Sequence, residues 1–229
     1  MKTSPRWLPL VCGIATVAFG VALLALPGLR PGGTPADGAE APGRSGPAPG
    51  TPAGLDPPTD LGPAPDYRLT NTRGTAFGSA DLAGKPHVVA FVFTRCPTIC
   101  PVMSASMARI QQAMQKRGLT DRTALVSISL DPEHDTPAVL ADYARRFQAQ
   151  AGFWHLLTGP KDTIRTLVNQ GFRLLAQDNP VGSDEPILHS PQLILVDGQG
   201  RVVAHRNGAR RAEVQQMIED LAGLASGGA

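Results

Sequence analysis

Residues 87–93, His-Val-Val-Ala-Phe-Val-Phe, are apolar almost without interruption and rich in β-branched side chains. Such a run predicts a strand buried on both faces. Upstream, residues 67–70 and 75–77 read as two short strands around the turn Asn-Thr-Arg-Gly at 71–74. Downstream the period changes. Met103, Met107, Ile110 and Met114 fall on one helical stripe within residues 101–116, and Gly118 supplies a stop. The stripe marks these methionines as core, since thioethers fill irregular apolar gaps. Residues 124–130 predict the next strand. Thr136 and Pro137 follow as N-cap and first helical position of a helix reaching about residue 147. A strand over 154–157, a helix over 161–169 and a strand over 172–176 come next. Residues 192–196 and 202–205 form a hairpin around Asp-Gly-Gln-Gly, and 212–224 a final helix.

Strands alternating with helices predict parallel pairing with crossover helices, and the late hairpin adds antiparallel strands. The order fits an α/β, thioredoxin-like fold, a central mixed sheet flanked by helices. Sites in open α/β sheets lie beyond the carboxyl ends of the strands. Two cysteines, Cys96 and Cys100, follow the first long strand in that position.

The chain ahead of this domain reads differently. Lys2 and Arg6 precede residues 7–29, which contain no charged side chain. That run matches the roughly 20 apolar residues a helix needs to cross a bilayer. The basic residues before it favour a cytoplasmic N-terminus, with the remainder outside. Residues 1–29 are therefore expected to be a transmembrane anchor. A cleaved signal peptide is the competing reading, although Leu-Pro-Gly-Leu at 26–29 is a poor cleavage site. Cys12 is expected to be a small apolar residue of the span. Half of residues 30–65 are Pro or Gly, with no aromatic, Ile or Val side chain. Such a segment buries too little surface to offset its ordering entropy, and is expected to be a tether with a reach of roughly 30–35 Å. Residues 66–229 remain as one domain, placed on the periplasmic or extracytoplasmic side of the inner (plasma) membrane.

A formal net charge of +2, with no basic cluster interleaved with aromatics, speaks against nucleic acid. A lone cysteine pair in the domain is too sparse for a disulfide scaffold. If Cys96 opens a helix, its spacing to Cys100 puts both sulfurs on one face, able to close a disulfide or to grip one metal ion. Thiolate near a helix N-terminus is favoured by the dipole. Two thiolates with an imidazole suit copper, since thiolate selects Cu(I) and imidazole accepts copper in either oxidation state. Of the five histidines, His189 stands in a suggestive place. It lies between the loop at 178–186 and the strand opening at Gln192. His87, His155 and His205 read as surface or strand-end residues, and Asp135 as stabilising the turn before Thr136.

Three blocks then carry a resemblance: Thr-Arg-Cys-Pro-Thr-Ile-Cys-Pro at 94–101, Ser-Leu-Asp-Pro-Glu-His-Asp-Thr-Pro at 129–137, and Leu-His-Ser at 188–190 before an apolar strand. In this order they resemble the SCO/SenC family, over essentially all of residues 64–225. These are membrane-anchored, thioredoxin-like copper proteins that help assemble cytochrome c oxidase. The resemblance implies that Cys96, Cys100 and His189 bind one copper ion, Cu(I) or Cu(II), and that Asp131 stands behind them as a supporting group. It implies a copper metallochaperone with the CuA centre of cytochrome c oxidase subunit II as acceptor. Two departures stand out. Pro191 follows His-Ser where the family usually has another residue, which makes a cis peptide bond there an expectation. His134 stands where Arg is common, and no role is assigned to it.

The alternative is a membrane-tethered thiol–disulfide oxidoreductase acting on a copper acceptor, with Cys96 attacking and Cys100 resolving. Pro191 favours it. The spacing disfavours it, since the usual redox motif has two intervening residues. A peroxidase finds no Pro-x-x-x-Thr-x-x-Cys loop here. A plain interaction module would be indifferent to Cys96→Ser.

Overall fold

The structure, a computed structural model, describes residues 59–179 and 187–227. The expected anchor over 1–29 and most of the expected tether lie outside the described residues. Among the described residues no helix is long and apolar enough to cross a membrane.

The described residues form nine strands and four α-helices in chain order: β1 (Arg68–Asn71), β2 (Ala76–Gly78), β3 (His87–Val92), α1 (Ile99–Lys116), β4 (Ala124–Ser129), α2 (Pro137–Arg146), β5 (Trp154–Thr158), α3 (Lys161–Thr166), β6 (Ala176–Asp178), β7 (Ile187–His189), β8 (Gln192–Val196), β9 (Val202–Asn207) and α4 (Arg211–Gly227). The main sheet has seven strands in the order β2-β1-β5-β4-β3-β8-β9, and β6 and β7 form a separate ribbon. β3, β4 and β5 are parallel, with Val92 opposite Ser129 at their carboxyl ends. β8 adds antiparallel to β3, and β1 to β5. The expectation of a mixed sheet flanked by helices holds.

Both faces of the sheet are covered, which explains why β3 reads as continuously apolar. Val88 and Ala90 point to one side and pack with the methionine stripe of α1, with Leu140 of α2 and with Met217 and Leu221 of α4. Val89 and Phe91 point to the other and meet Ile128, Leu157, Ile164 and Phe172. Met103, Met107, Ile110 and Met114 are fully buried, as their spacing predicts. Each contributes about 1.5–3 kcal/mol relative to exposure.

Helix ends follow local chemistry. Thr136 Oγ1 accepts from Val139 N–H at 3.4 Å with Pro137 behind it, the N-cap read from sequence. Gly118 takes φ +66° after α1, letting Leu119 N–H reach the Met114 carbonyl at 2.9 Å and Gly118 N–H the Gln115 carbonyl at 3.1 Å. The same device ends α2, but with Gln148 at φ +54° and Ala149 N–H on the Ala144 carbonyl at 2.9 Å. A non-glycine residue in that region costs about 1–2 kcal/mol. The Gln148 side chain is exposed, and Gln111 uses only its carbonyl. Gln148→Gly is therefore expected to stabilise the domain by about 0.5–1 kcal/mol, net of the extra freedom of the unfolded chain. Chemical denaturation checks this through the midpoint, with the slope unchanged.

Three expectations are revised. Residues 59–65, expected as tether, run beside β9: Thr59 N–H bonds Val203 O at 2.7 Å, Leu61 N–H bonds Val202 O at 2.8 Å, and Asp60 pairs with Arg201 at 2.5 Å. A Pro/Gly-rich composition does not prevent main-chain groups from satisfying the open edge of β9. The helix expected over 161–169 is α3 to Thr166 and then a π turn, Leu167–Gly171, closed by Phe172 N–H on the Leu167 carbonyl at 2.8 Å. The strand expected over 172–176 begins only at Ala176, because Phe172 caps that turn and Arg173 takes φ +55°.

Candidate metal centre

β3 ends at Val92, and the chain turns sharply before α1. Cys96 N–H bonds the Phe93 carbonyl at 3.3 Å, closing a turn that sets Cys96 at the carboxyl end of the parallel strands. α1 begins at Ile99 with Thr98 at the N-cap position, so Cys96 precedes the helix and only Cys100 is within it. The two sulfurs therefore meet differently from a shared helical face. Thr98 makes no side-chain cap. Instead the Cys96 sulfur accepts from Cys100 N–H at 3.4 Å, satisfying a donor of the first helical turn. The Cys100 sulfur accepts from Phe93 N–H, also at 3.4 Å. Both cysteines are reduced and buried.

His189 arrives from the ribbon. β6 and β7 pair with Ala176 opposite His189, and the inward side chains Ala176, Ile187 and His189 are buried while Leu188 is exposed. The His189 ring lies edge-on to Phe93 with centroids 5.7 Å apart. Its Nδ1 is 3.2 Å from the Ser190 carbonyl and its Nε2 is 3.2 Å from the Cys100 sulfur. A carbonyl only accepts, so Nδ1 carries a proton, and the neutral imidazole then presents its Nε2 lone pair to the sulfur. Donor atoms of Cys96, Cys100 and His189 all lie within 4.8 Å of one another. Bonds of about 2.0–2.3 Å from thiolate and imidazole to a transition metal span such a triangle. Two thiolates and one imidazole form a soft three-donor set, one short of the four that close a structural zinc site.

The second sequence block braces this loop. Asp135 is fully buried, and its carboxylate accepts from Thr94 N–H at 3.1 Å, from Ser129 Oγ at 2.6 Å and from Thr94 Oγ1. It thus ties the loop after β3 to the loop after β4. The turn role expected of Asp135 is the smaller part of what it does. His134 Nδ1 lies 3.0 Å from the same carboxylate. Asp131, expected behind the ligands, takes Arg95 Nε and Nη2 at 2.9 and 2.6 Å, gripping the residue before Cys96. Its main-chain carbonyl accepts from His134 and Asp135 N–H and closes the turn. Asp131, His134 and Asp135 also have donor atoms within 4.8 Å of one another. The hydrogen bonds just described fill both Asp135 oxygens and one of Asp131, so this group is a brace.

Beneath the site Tyr143 bonds Ser104 at 2.8 Å. Burial above all, with smaller contributions from Cys100 and Cys96, pushes the Tyr143 hydroxyl up to about 12, against the lowering effect of its Ser104 bond. Pro191 links β7 to β8, and its carbonyl accepts from Gly208 N–H at 2.8 Å.

The other histidines are elsewhere. His87 opens β3 but is buried, its Nδ1 2.9 Å from the Lys85 carbonyl. His155 is half-buried in β5 and stacks on Phe77 at 4.0 Å, and His205 is half-buried in β9. Burial lowers the pKa of all three. None joins a metal-capable group among the described residues.

Comparison with known proteins agrees with this geometry. A sequence model of the family described as SCO1/SenC matches residues 58–226. The chain is similar to the SCO1 protein homolog of Bacillus subtilis, 28% identical over 156 residues, 68% of this chain and 79% of that one. It is similar in structure to a SCO1/SenC family lipoprotein from Bacillus anthracis, with TM-score 0.66 and 30% identity over 71% of this chain and 95% of the other. Bradyrhizobium japonicum ScoI, solved with copper bound, aligns with TM-score 0.61 and 28% identity over 71% of this chain and 99% of that one.

Proposed function

This chain belongs to the SCO1/SenC family, and we propose on that premise that it binds one copper ion through Cys96, Cys100 and His189 and hands it to the CuA site of cytochrome c oxidase subunit II. The observation that carries the reading is the convergence of three buried donors from three separate elements, the loop after β3, α1 and β7. A disulfide alone would need no histidine with its lone pair turned to a sulfur. Copper is the cargo here, held by soft sulfur and released by ligand exchange with a thiolate-bearing acceptor. The ligands must be deprotonated, so retention weakens as pH falls and is lost when the two thiols are oxidised to a disulfide. Residues 1–29 would anchor the chain in the inner membrane and the tether would let the domain reach a membrane-bound acceptor. The copper-bound ScoI and the SCO1/SenC lipoprotein support the cargo and the membrane association respectively.

The thiol–disulfide reading draws on the two reduced cysteines lying within reach of one another. In that reaction Cys96 and Cys100 would lose two electrons and two protons to a disulfide of the acceptor, which becomes a dithiol. One mixing experiment separates the two. The reduced 229-residue chain, loaded anaerobically with one equivalent of Cu(I), is mixed with the metal-free soluble domain of oxidase subunit II. Copper is expected to move to the acceptor, while the disulfide form of the chain delivers none. An acceptor that stays copper-free but has its own disulfide reduced would establish the oxidoreductase instead.

A further inference from the structure

Asn169 sits in the π turn Leu167–Gly171, a rare helical form that recurs at functional sites. Its side-chain amide faces the main chain of Ala176. Nδ2 donates to the Ala176 carbonyl at 3.1 Å, and Oδ1 accepts from the Ala176 N–H at 3.0 Å. One residue thus receives from a side chain the paired bonds that an antiparallel strand would give it. Ala176 is the residue opposite His189 in the ribbon.

The ribbon has no place in the seven-stranded sheet, and two strands alone are marginal in water. Ala176 and Ile187 seat it on the core, but apolar burial is non-directional and does not fix where a ring nitrogen stands. At the ribbon's outer end Asp178 pairs with Arg165 and Lys161 across partly exposed surface, where ion pairs contribute little. Leu174 N–H bonds Val168 O at 2.9 Å ahead of the ribbon, and Ser190 N–H bonds Leu175 O at 3.0 Å beside it. The bonds from Asn169 are the ones made to the residue that pairs with the ligand itself.

We infer that Asn169 is a positioning residue that holds β6 against the π turn and so keeps His189 Nε2 against the cysteine sulfurs. The inference rests on the copper reading above for its consequence, not for its geometry. Asn169→Ala removes both bonds. Asn169→Asp keeps an acceptor for Ala176 N–H but sets a carboxylate against the Ala176 carbonyl with no proton between them.

Two measurements on the whole chain test it. In the metal-free protein, amide exchange at residues 187–189 is expected to speed up at least tenfold in Asn169→Ala, with β3 and β4 unchanged. In the copper-loaded protein, X-ray absorption is expected to lose nitrogen from the metal while both sulfurs stay. A chelator should then strip the copper about 10–100-fold more readily, the range found when a group that supports a metal ligand is removed. Asn169→Asp should fall between. Unchanged exchange at 187–189, or faster exchange spread equally over β3 and β4, would overturn the inference. If the unaltered chain binds no copper, the copper reading fails and the exchange result still decides the role of Asn169.

Discussion

Replacing His189 with alanine is expected to weaken copper binding by more than about 100-fold and to leave the sheet intact. Removing a group that only supports a metal ligand already costs about 10–100-fold, and His189 is itself a proposed ligand. Its Nε2 stands 3.2 Å from the Cys100 sulfur, with the tautomer set by the Ser190 carbonyl. The ring also packs edge-on against Phe93, but β7 lies outside the main sheet, so the stability change should be modest. Cys96→Ser and Cys100→Ser should be at least as damaging, because a hydroxyl is a poor substitute for thiolate toward Cu(I). Competition with a Cu(I) chelator at fixed pH, beside thermal unfolding, separates lost binding from lost fold. Thiol–disulfide exchange at Cys96 should survive the histidine replacement.

Asp135→Ala is expected to cost about 3 kcal/mol of stability. The carboxylate is fully buried and receives Thr94 N–H, Thr94 Oγ1 and Ser129 Oγ. Hydrogen bonds to charged groups contribute about 1.5–3 kcal/mol each, and of the donors left behind Ser129 is buried and Thr94 half-buried. Asp135→Asn should cost less, since the hydroxyls can rotate to a neutral oxygen while one contact becomes donor against donor. Denaturant titration should show a lower midpoint at constant slope. The loop carrying Cys96 hangs from Thr94, so copper affinity of the folded alanine variant should fall as well. A loss below about 1 kcal/mol would mean that the loops after β3 and β4 hold together without this carboxylate.

β3 was legible because both faces of the sheet are covered, which writes itself as an unbroken apolar run. The methionine stripe was legible because a helix packed on one side has a period. Cys96, Cys100 and His189 were found as a set through the order of three sequence blocks, and the structure brings all three together. Asn169 left no trace in the sequence. A side chain bonding the main chain of a residue seven positions on has no periodicity, and an Asn near a predicted helix end reads as ordinary surface. The Thr94–Asp135 bond spans 41 residues and is likewise invisible to local pattern. Its only signal was a buried acid inside a Pro-flanked block, which reads first as a turn. Composition describes side chains and so makes residues 59–65 look like tether, whereas their contacts with β9 are made by the main chain. The helix expected from Pro101 begins two residues earlier, at Ile99, with Thr98 at the N-cap position, so Cys96 precedes it and only Cys100 lies within it.

The most direct measurement is X-ray absorption at the copper edge on the reduced whole chain carrying one Cu(I), beside His189→Ala. Two sulfur neighbours and one nitrogen, with the nitrogen lost in the variant, is the predicted result. A copper held by sulfur alone, or a spectrum identical in the two proteins, would contradict the three-donor site.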